Sequence, residues 1–509
     1  MNLQTAEQIV STGIPGLDYI LCGGFPANHL YLVEGDPGTG KTTLALQFLL
    51  AGRARGETGL YVTLSETKAE LCKVAASHGW SLDGIGLFEL ESLEERLHTE
   101  QQYTVFHPSE IELGETTKHI CEQVEKLRPS LVVFDSLSEM RLLAREPLRY
   151  RRQVLALKQF FAGRKCTVML LDDRTSRETD LQLQSICHGV LVLERVAVEY
   201  GGARRRLTVS KLRGLKFREG RHDFTIEPGG LVVFPRLVAA EHKKPMSGST
   251  PRPRGTAKSG IGELDELLGG GLTYGTSTLA MGPAGSGKST LVSQYAMALA
   301  DEGERVACYV FEETQQNYLD RAAGLGMDLR PHLASGRLIV DQIDPAEISP
   351  GEFVDRVRGA VEPPAGKDPA TVVIIDSLNG YLNSMPSENF LLIQMHELLM
   401  YLNERGVLTL LVLAQHGLLG ATMQTPIDVT YLADTVIVLR YFEAFGEVRQ
   451  ALAVVKKRSG RHERSIREFR LSSEGIEIGR PLKDFDGVLT GVPRYTGHLK
   501  SLIADNAAE

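Results

Sequence analysis

Short, nearly unbroken apolar runs recur along the first half of the chain, at residues 30–34, 60–64, 131–134 and 167–171. Runs that are apolar at every position predict strands buried on both faces, as in a parallel sheet covered by helices. Residues 42–54 instead carry apolar side chains at helical spacing. Farther on, residues 203–211, 223–226 and 231–234 alternate in polarity, and Gly220 and Pro228-Gly229-Gly230 separate them. That pattern predicts antiparallel strands added to the sheet. The same order returns in the second half, with strands predicted at 371–375 and 407–413.

The return is a duplication. Residues 11–43 align without a gap to residues 258–290. Gly13, Leu17, Asp18, Gly23, Gly24, Gly35 and Lys41 coincide with Gly260, Leu264, Asp265, Gly270, Gly271, Gly282 and Lys288. A match this long marks a whole domain used twice. The stretch 241–255 is rich in Pro, Ser, Gly and basic residues, as an exposed linker would be. The expected division is therefore a domain at 1–240, a linker at 241–255, a domain at 256–480 and a tail at 481–509. The tail has no counterpart in the first domain and ends in a polar stretch, which predicts mobility.

Each domain carries a phosphate loop. Gly35-Asp36-Pro37-Gly38-Thr39-Gly40-Lys41-Thr42 and Gly282-Pro283-Ala284-Gly285-Ser286-Gly287-Lys288-Ser289 both satisfy GxxxxGK[ST]. Each follows a strand-like run and opens a helix-like one. Glycines let backbone N–H groups turn inward around phosphates, the lysine reaches the β/γ-phosphates, and the Thr or Ser hydroxyl faces Mg²⁺. With Thr43 and Thr290 next in line, these residues are expected to hold ATP. Two matches at equivalent repeat positions exclude a chance glycine turn. The fold class that follows is α/β: two tandem RecA-like P-loop NTPase domains, each a mainly parallel sheet flanked by helices.

Asp135 and Asp376 end apolar strands at similar separations from the two lysines, and Ser-Leu follows both. A strand-end Asp is also a common turn former. Beside a phosphate loop, Asp135 with Thr42 and Asp376 with Ser289 are expected on the Mg²⁺ side. The next strand ends in Ser65-Glu66-Thr67 in domain one and Glu312-Glu313-Thr314 in domain two, with Glu66 falling against Glu313. A carboxylate here can orient or deprotonate a nucleophile opposite the γ-phosphate. Helix capping is the alternative reading of these residues.

Composition narrows the class. The net charge is −8, which counts against a dedicated nucleic-acid binder. No run of 18 apolar residues exists; the best candidate, 407–419, is broken by Gln415 and His416, so no membrane span is expected. The start of the chain lacks the basic-then-apolar pattern of a secretion signal. The six cysteines form no CxxC pair, and their irregular spacing predicts reduced core thiols in a cytoplasmic protein.

The duplicated core, the GLD…GGG lead-ins, the FEET of domain two and a late Lys-x-Arg strand together resemble the KaiC family of clock-type ATPases and autokinases. The resemblance runs from about residue 8 to about residue 495. It implies a double-layered homohexamer with ATP at the subunit interfaces, and a KaiB-like protein as a candidate partner. It implies that Lys211 and Arg213 in domain one, and Lys456 and Arg458 in domain two, reach the γ-phosphate held by a neighbouring subunit. An arginine supplied in trans is worth about 10³–10⁵ in rate. A solvated strand edge remains an alternative, as does a nucleic-acid patch with Arg204, Arg205, Arg206, Lys216, Arg218 and Arg221. The resemblance also implies a phosphoacceptor pair at Thr430 and Tyr431. The second member departs from the family's Ser-Thr, since a phenol puts its hydroxyl farther from the backbone. The stretch 484–493 resembles the base of the family's C-terminal peptide.

The expected activity is ATP hydrolysis with Ser/Thr autophosphorylation in domain two. Glu312 is the preferred base, Glu313 its helper and Glu66 the domain-one carboxylate. A DNA-dependent motor on the same core and a nucleotide-assembled signalling scaffold are the rival readings. The lack of an LSGGQ-like signature counts against an ABC transporter.

Overall fold

The computed structural model describes residues 8–89, 108–144, 146–174, 180–198, 201–242, 255–383, 390–415, 429–490 and 492–497. The chain divides into two compact units, Met1–Arg236 and Leu237–Glu509.

Unit one is built on a nine-stranded sheet. Its strands are β1 (Leu30–Gly35), β2 (Gly59–Thr63), β3 (Ile85–Glu89), β4 (Leu131–Asp135), β5 (Thr167–Asp173), β6 (Gly189–Val196), β7 (Arg204–Leu212), β8 (Arg221–Glu227) and β9 (Gly230–Phe234). The order across the sheet is β9-β8-β7-β6-β1-β5-β4-β2-β3. Strands β1 to β6 run parallel, and β7 to β9 add antiparallel at one side. The alternating stretches of the sequence are these additions. Every residue of β1 is buried. Tyr31 and Val33 pack on one face with Leu44, Phe48 and Leu49 of α1 (Lys41–Ala54). Leu30 and Leu32 pack on the other with Ile120 and Val124 of α3 (Pro108–Leu127) and Val154 and Phe161 of α5 (Pro147–Ala162). Helices α2 (Lys68–Ser77), α4 (Leu137–Ala144) and α6 (Asp180–Ile186) complete the parts used below.

Unit two repeats the plan with β10 (Ser277–Pro283), β11 (Val306–Val310), β12 (Leu338–Gln342), β13 (Val372–Asp376), β14 (Leu408–Gln415), β15 (Thr435–Ala444), β16 (Glu447–Lys457), β17 (Ile466–Ser472) and β18 (Gly475–Pro481). The order β18-β17-β16-β15-β10-β14-β13-β11-β12 matches unit one strand for strand. Helix α7 (Lys288–Asp301) follows β10, and α8 (Gln315–Gly324) follows β11. In both units the parallel strands end at one edge, where open α/β sheets bind ligands.

Three expectations change. The described part of the 481–509 tail is packed: Phe485 and Tyr495 stack edge-on with Phe442 and Phe445, and Val488 is buried beside Phe442 and Ala451. Aromatic residues in an otherwise polar stretch give it a place to dock. Cys22 and Cys72 are exposed and so are not core thiols, whereas Cys166, Cys187 and Cys308 are buried and all six are free. The basic cluster is not one solvated patch. Arg204 and Arg206 are buried within β7, and Arg206 faces Asp223 at 3.7 Å. Among the described residues no helix is long and apolar enough to cross a membrane.

Candidate functional site

The two phosphate loops leave β1 and β10 at the carboxyl edge of their sheets and enter α1 and α7. Gly40 and Gly287 precede the helices with φ of 105° and 96°. A β-carbon on Gly40 would lie 2.6 Å from Ile226 Cδ1, and one on Gly287 would lie 2.6 Å from Phe469 Cε1. Both conformation and space therefore require glycine here. Gly38 and Gly285 are left-handed too, at 77° and 75°. Gly35 ends its buried strand, and Gly282 is the last residue but one of its own. Thr39 Oγ1 donates to the Asp36 carbonyl at 2.8 Å, while its counterpart Ser286 is fully buried. Thr43 and Thr290 are buried one position farther along each helix than Thr42 and Ser289.

Lys41 and Lys288 are nearly enclosed, at 8% and 6% exposure. Lys288 Nζ donates to the Pro283 carbonyl at 2.6 Å. Burial pulls this amine's pKa down, and the negative Asp376 and Glu312 push it back up. Lys41 Nζ donates to the Gly35 carbonyl at 2.7 Å and to that of Asp36 at 3.1 Å. It also pairs with Asp173 Oδ1 at 2.7 Å.

The strand-end aspartates stand beside the loop hydroxyls. Thr42 Oγ1 donates to Asp135 Oδ2 at 3.0 Å, and Tyr61 donates to the same oxygen. Burial raises the Asp135 pKa, against the lowering effect of Tyr61, Thr42 and Lys41. In unit two Ser289 bonds to Asp376, whose pKa burial lifts to about 6. Asp376 Oδ2 is buried with no hydrogen-bond partner. An orphaned carboxylate oxygen next to a serine hydroxyl is a fitting half-site for a hard divalent cation, the rest of whose shell comes from water and phosphate. The Asp135–Ser136 and Asp376–Ser377 peptide bonds are both cis.

The carboxylates of the next strand are not caps. Thr67 caps α2 in a reciprocal box with Glu70, and Thr314 caps α8 through the Asn317 N–H. Glu312 and Glu313 are left for other work and differ from each other. Ser377 Oγ donates to Glu312 Oε1. Arg321 on α8 clamps Glu313 with both arms of its guanidinium, at 2.6 and 3.3 Å. Glu66 has no such arginine, because Val74 takes the corresponding place on α2. Its Oε2 is buried without a hydrogen-bond partner, and burial, then Asp135 and Glu70, raise its pKa.

The Lys-x-Arg residues lie at the opposite edge. Lys211 faces Val190, and Leu212 faces Gly189, which is level with Tyr31 of β1. From that level the strand runs four residues to Gly35, about 13 Å at strand rise, before the sideways offset of two strands. Lys211 Nζ instead donates to the Gln184 carbonyl and Arg213 Nη2 to that of Ser185, at the end of α6. In unit two, Lys457 is level with Thr278, again four residues before Gly282. Lys456 Nζ donates at 2.8 Å to the carbonyls of Thr430 and Ala433, and Arg458 is 57% exposed and 3.6 Å from Asp434. Thr430, half-buried, and Tyr431, exposed, form a short 3-10 turn at this same edge. Neither unit brings its own Lys-x-Arg element to its own phosphate loop.

A cavity of about 570 Å³ opens at this edge of unit two, with Tyr274, Arg405, Asp434 and Arg458 in its lining. Arg321, Tyr61 and Asp173 were missed by sequence reasoning. Asp173 had a signal: Asp172-Asp173 end an apolar run just as Asp135 does. Tyr61 and Arg321 had none: strand register brings Tyr61 to an aspartate 74 residues away, and Arg321 meets Glu313 only through the direction in which α8 leaves the strand.

Comparison with protein families matches residues 10–238 and 257–483 to the KaiC ATPase. The chain is similar to the circadian clock protein KaiC3 of Synechocystis sp., with 26% identity covering 96% of this chain and 95% of that one. It is also similar to the circadian clock oscillator protein KaiC of Synechococcus elongatus, with 28% identity over 95% and 91%. A third, the oscillator protein KaiC of Parathermosynechococcus lividus, is 28% identical over 95% and 87%.

Proposed function

The chain belongs to the KaiC ATPase family, and from that premise we propose that it works as a homohexamer with Mg-ATP between subunits, hydrolyses ATP and phosphorylates its own Thr430. One observation carries this reading: phosphate loop and Lys-x-Arg element occupy opposite edges of each sheet. A strand length of about 13 Å is beyond the reach of a side chain. A second copy can supply the missing cations, and a ring lets every copy both give and receive.

In unit two, Gly282, Gly285, Ser286, Gly287, Lys288 and Thr290 cradle the triphosphate, and Ser289 and Asp376 hold Mg²⁺. The metal, when bound, offsets phosphate charge. Thr430 from the neighbour presents its hydroxyl. Its oxygen forms the new bond to the γ-phosphorus, the bond to the β–γ bridging oxygen breaks, ADP leaves, and Glu312 accepts the hydroxyl proton. Lys456 and Arg458, on the same edge as Thr430, stabilise the charge on the transferring group. Arg321 fixes Glu313 and leaves Glu312 as the base. Water in place of Thr430 gives hydrolysis. Unit one has Ser65 where unit two has Glu312, which suits nucleotide-dependent assembly with weaker chemistry.

The test mixes two variants. Lys288→Ala cannot grip phosphate but keeps its acceptor; Thr430→Ala keeps the grip but has no acceptor. Neither alone should carry phosphate at residue 430. Co-assembled, with one variant isotopically labelled, the Lys288→Ala chain should become phosphorylated on Thr430. Absence of that transfer, with mixed rings verified by native mass spectrometry, would overturn the reading.

A further inference from the structure

We infer that Asp173 is a built-in counter-ion of Lys41 that nucleotide must displace, and that it makes unit one selective for magnesium-complexed over metal-free nucleotide. The inference rests on the proposed binding of ATP at unit one.

The contact is close and held from both sides. Lys41 Nζ lies 2.7 Å from Asp173 Oδ1, with the lysine 8% and the aspartate 26% exposed. Ser138 Oγ donates to the other carboxylate oxygen at 3.1 Å, and the Asp173 N–H points back to Ser138 Oγ at 3.4 Å. Next to it, Arg141 binds the buried Asp172. The end of β5 is thus fixed by α4, and Asp173 is aimed at the lysine by strand register: Asp173 is the partner of Gly35 across the β1–β5 pair.

Unit two serves as an internal comparison. There the partner of Gly282 across the β10–β14 pair is Ala414. Lys288 therefore meets no carboxylate from that strand and donates to a backbone carbonyl instead. One difference at an equivalent position separates a lysine with an ion pair to this strand from one that meets an alanine there.

The chemical consequence concerns the approaching phosphates. While paired with Asp173, the Lys41 ammonium offers little net charge to a β- or γ-phosphate. Once the pair parts, the carboxylate of Asp173 stays near the loop, with Asp135 and Glu66 close by. Metal-free ATP brings four negative charges into that surrounding, and Mg-ATP brings two. In unit two one acidic residue, Glu313, is already neutralised by Arg321. The discrimination against metal-free nucleotide is therefore greater in unit one. If the pair is closed nine-tenths of the time, apparent affinity for either form of the nucleotide falls about tenfold, because only the open fraction is competent, and the carboxylate left beside the loop then weakens the metal-free form further.

The experiment uses the full-length chain and photolabelling with radioactive 8-azido-ATP, in magnesium or in EDTA, with labelled peptides assigned to each unit. Asp173→Asn, nearly isosteric, is expected to raise unit-one labelling about tenfold in magnesium and by more than that in EDTA, with unit-two labelling unchanged. Ala414→Asp is the reciprocal: it should lower unit-two labelling in EDTA by a similar factor. Folding of unit one is checked by the fluorescence of Trp80, the sole tryptophan. Unit-one labelling that is unchanged or lower in Asp173→Asn would overturn the counter-ion role while leaving nucleotide binding intact. Failure of wild type and variant alike to label unit one in magnesium would instead reject nucleotide binding there, and the inference with it.

Discussion

Replacing Asp376 with Asn should stabilise the nucleotide-free protein while abolishing its response to magnesium. Burial lifts the Asp376 pKa to about 6, from an ordinary value near 4. The unfolded chain gives up this proton near pH 4, whereas the folded chain keeps it up to about pH 6. Between those values the folded state binds more protons than the unfolded one, so stability falls as pH rises. Raising a carboxyl pKa from about 4 to about 6 costs the ionised folded state about 3 kcal/mol. The penalty is absent below about pH 4 and complete above about pH 6. Asn removes the charge and keeps an acceptor for Ser289. Calorimetry at pH 8 should then show the unit-two transition of Asp376→Asn roughly 6–12 °C above wild type, with the two converging as pH falls towards 4. Trp80 fluorescence identifies the unit-one transition, which the substitution should leave in place. With ATP present, added magnesium should raise the wild-type transition further and leave that of the variant unmoved. An Asp376→Asn transition at or below wild type at pH 8 would refute the reasoning, because it would mean that the buried carboxylate costs the empty fold nothing.

Three further outcomes follow from particular contacts. Gly40→Ala forces an L-residue into a left-handed conformation, at about 1–2 kcal/mol, and meets Ile226 Cδ1; since that methyl can shift, a loss of about 2–3 kcal/mol in unit one is expected in Trp80-monitored denaturation. Tyr61→Phe deletes one of the donors to Asp135 and should cost unit one about 1–2 kcal/mol in the same assay, with unit two unaffected. Arg321→Met releases Glu313 at a stability cost of only about 1 kcal/mol, because the pair is part-exposed, yet should lower Thr430 phosphorylation about 10²-fold through misplacement of the Glu pair, as followed by phosphosite mass spectrometry.

The fold was legible because its signals are local and repeated. The runs at 30–34 and 131–134 are apolar at every position, and strands covered on both faces require that. The phosphate loops were legible for a related reason. Left-handed backbone at Gly40 and Gly287 leaves no residue but glycine, so the constraint is written into the motif itself. Arg321 and Tyr61 were hidden because an arginine on a surface helix and a tyrosine in a core strand are ordinary there. What makes each part of a site is a carboxylate brought to it by folding, Glu313 in one case and Asp135 in the other. The tail misled for the reverse reason. Its polar ends suggest solvent, yet Phe485, Val488 and Tyr495 are enough to pin the stretch between them.

The two units keep the same backbone and differ where charge meets the loop. Tyr61 and Cys308 are each the third residue of equivalent strands, yet only the tyrosine can donate a strong hydrogen bond to the strand-end aspartate. Val74 and Arg321 hold the same place on their helices, yet only the arginine can fix a glutamate. Asp173 and Ala414 face the same glycine of the loop strand, yet only the aspartate can pair with its lysine. Two of these differences add a restraint in unit one on groups that would hold metal or phosphate; the third acts in unit two, where Arg321 fixes Glu313 while Glu66 keeps a buried oxygen without a partner. A duplication under one common demand would drift at such positions without direction. Here Tyr61 and Asp173 restrain unit one and Arg321 orders unit two, the direction expected if unit one is the less reactive of the two, as proposed. The apolar register could stay fixed throughout, because packing sees side-chain volume and the reaction sees charge.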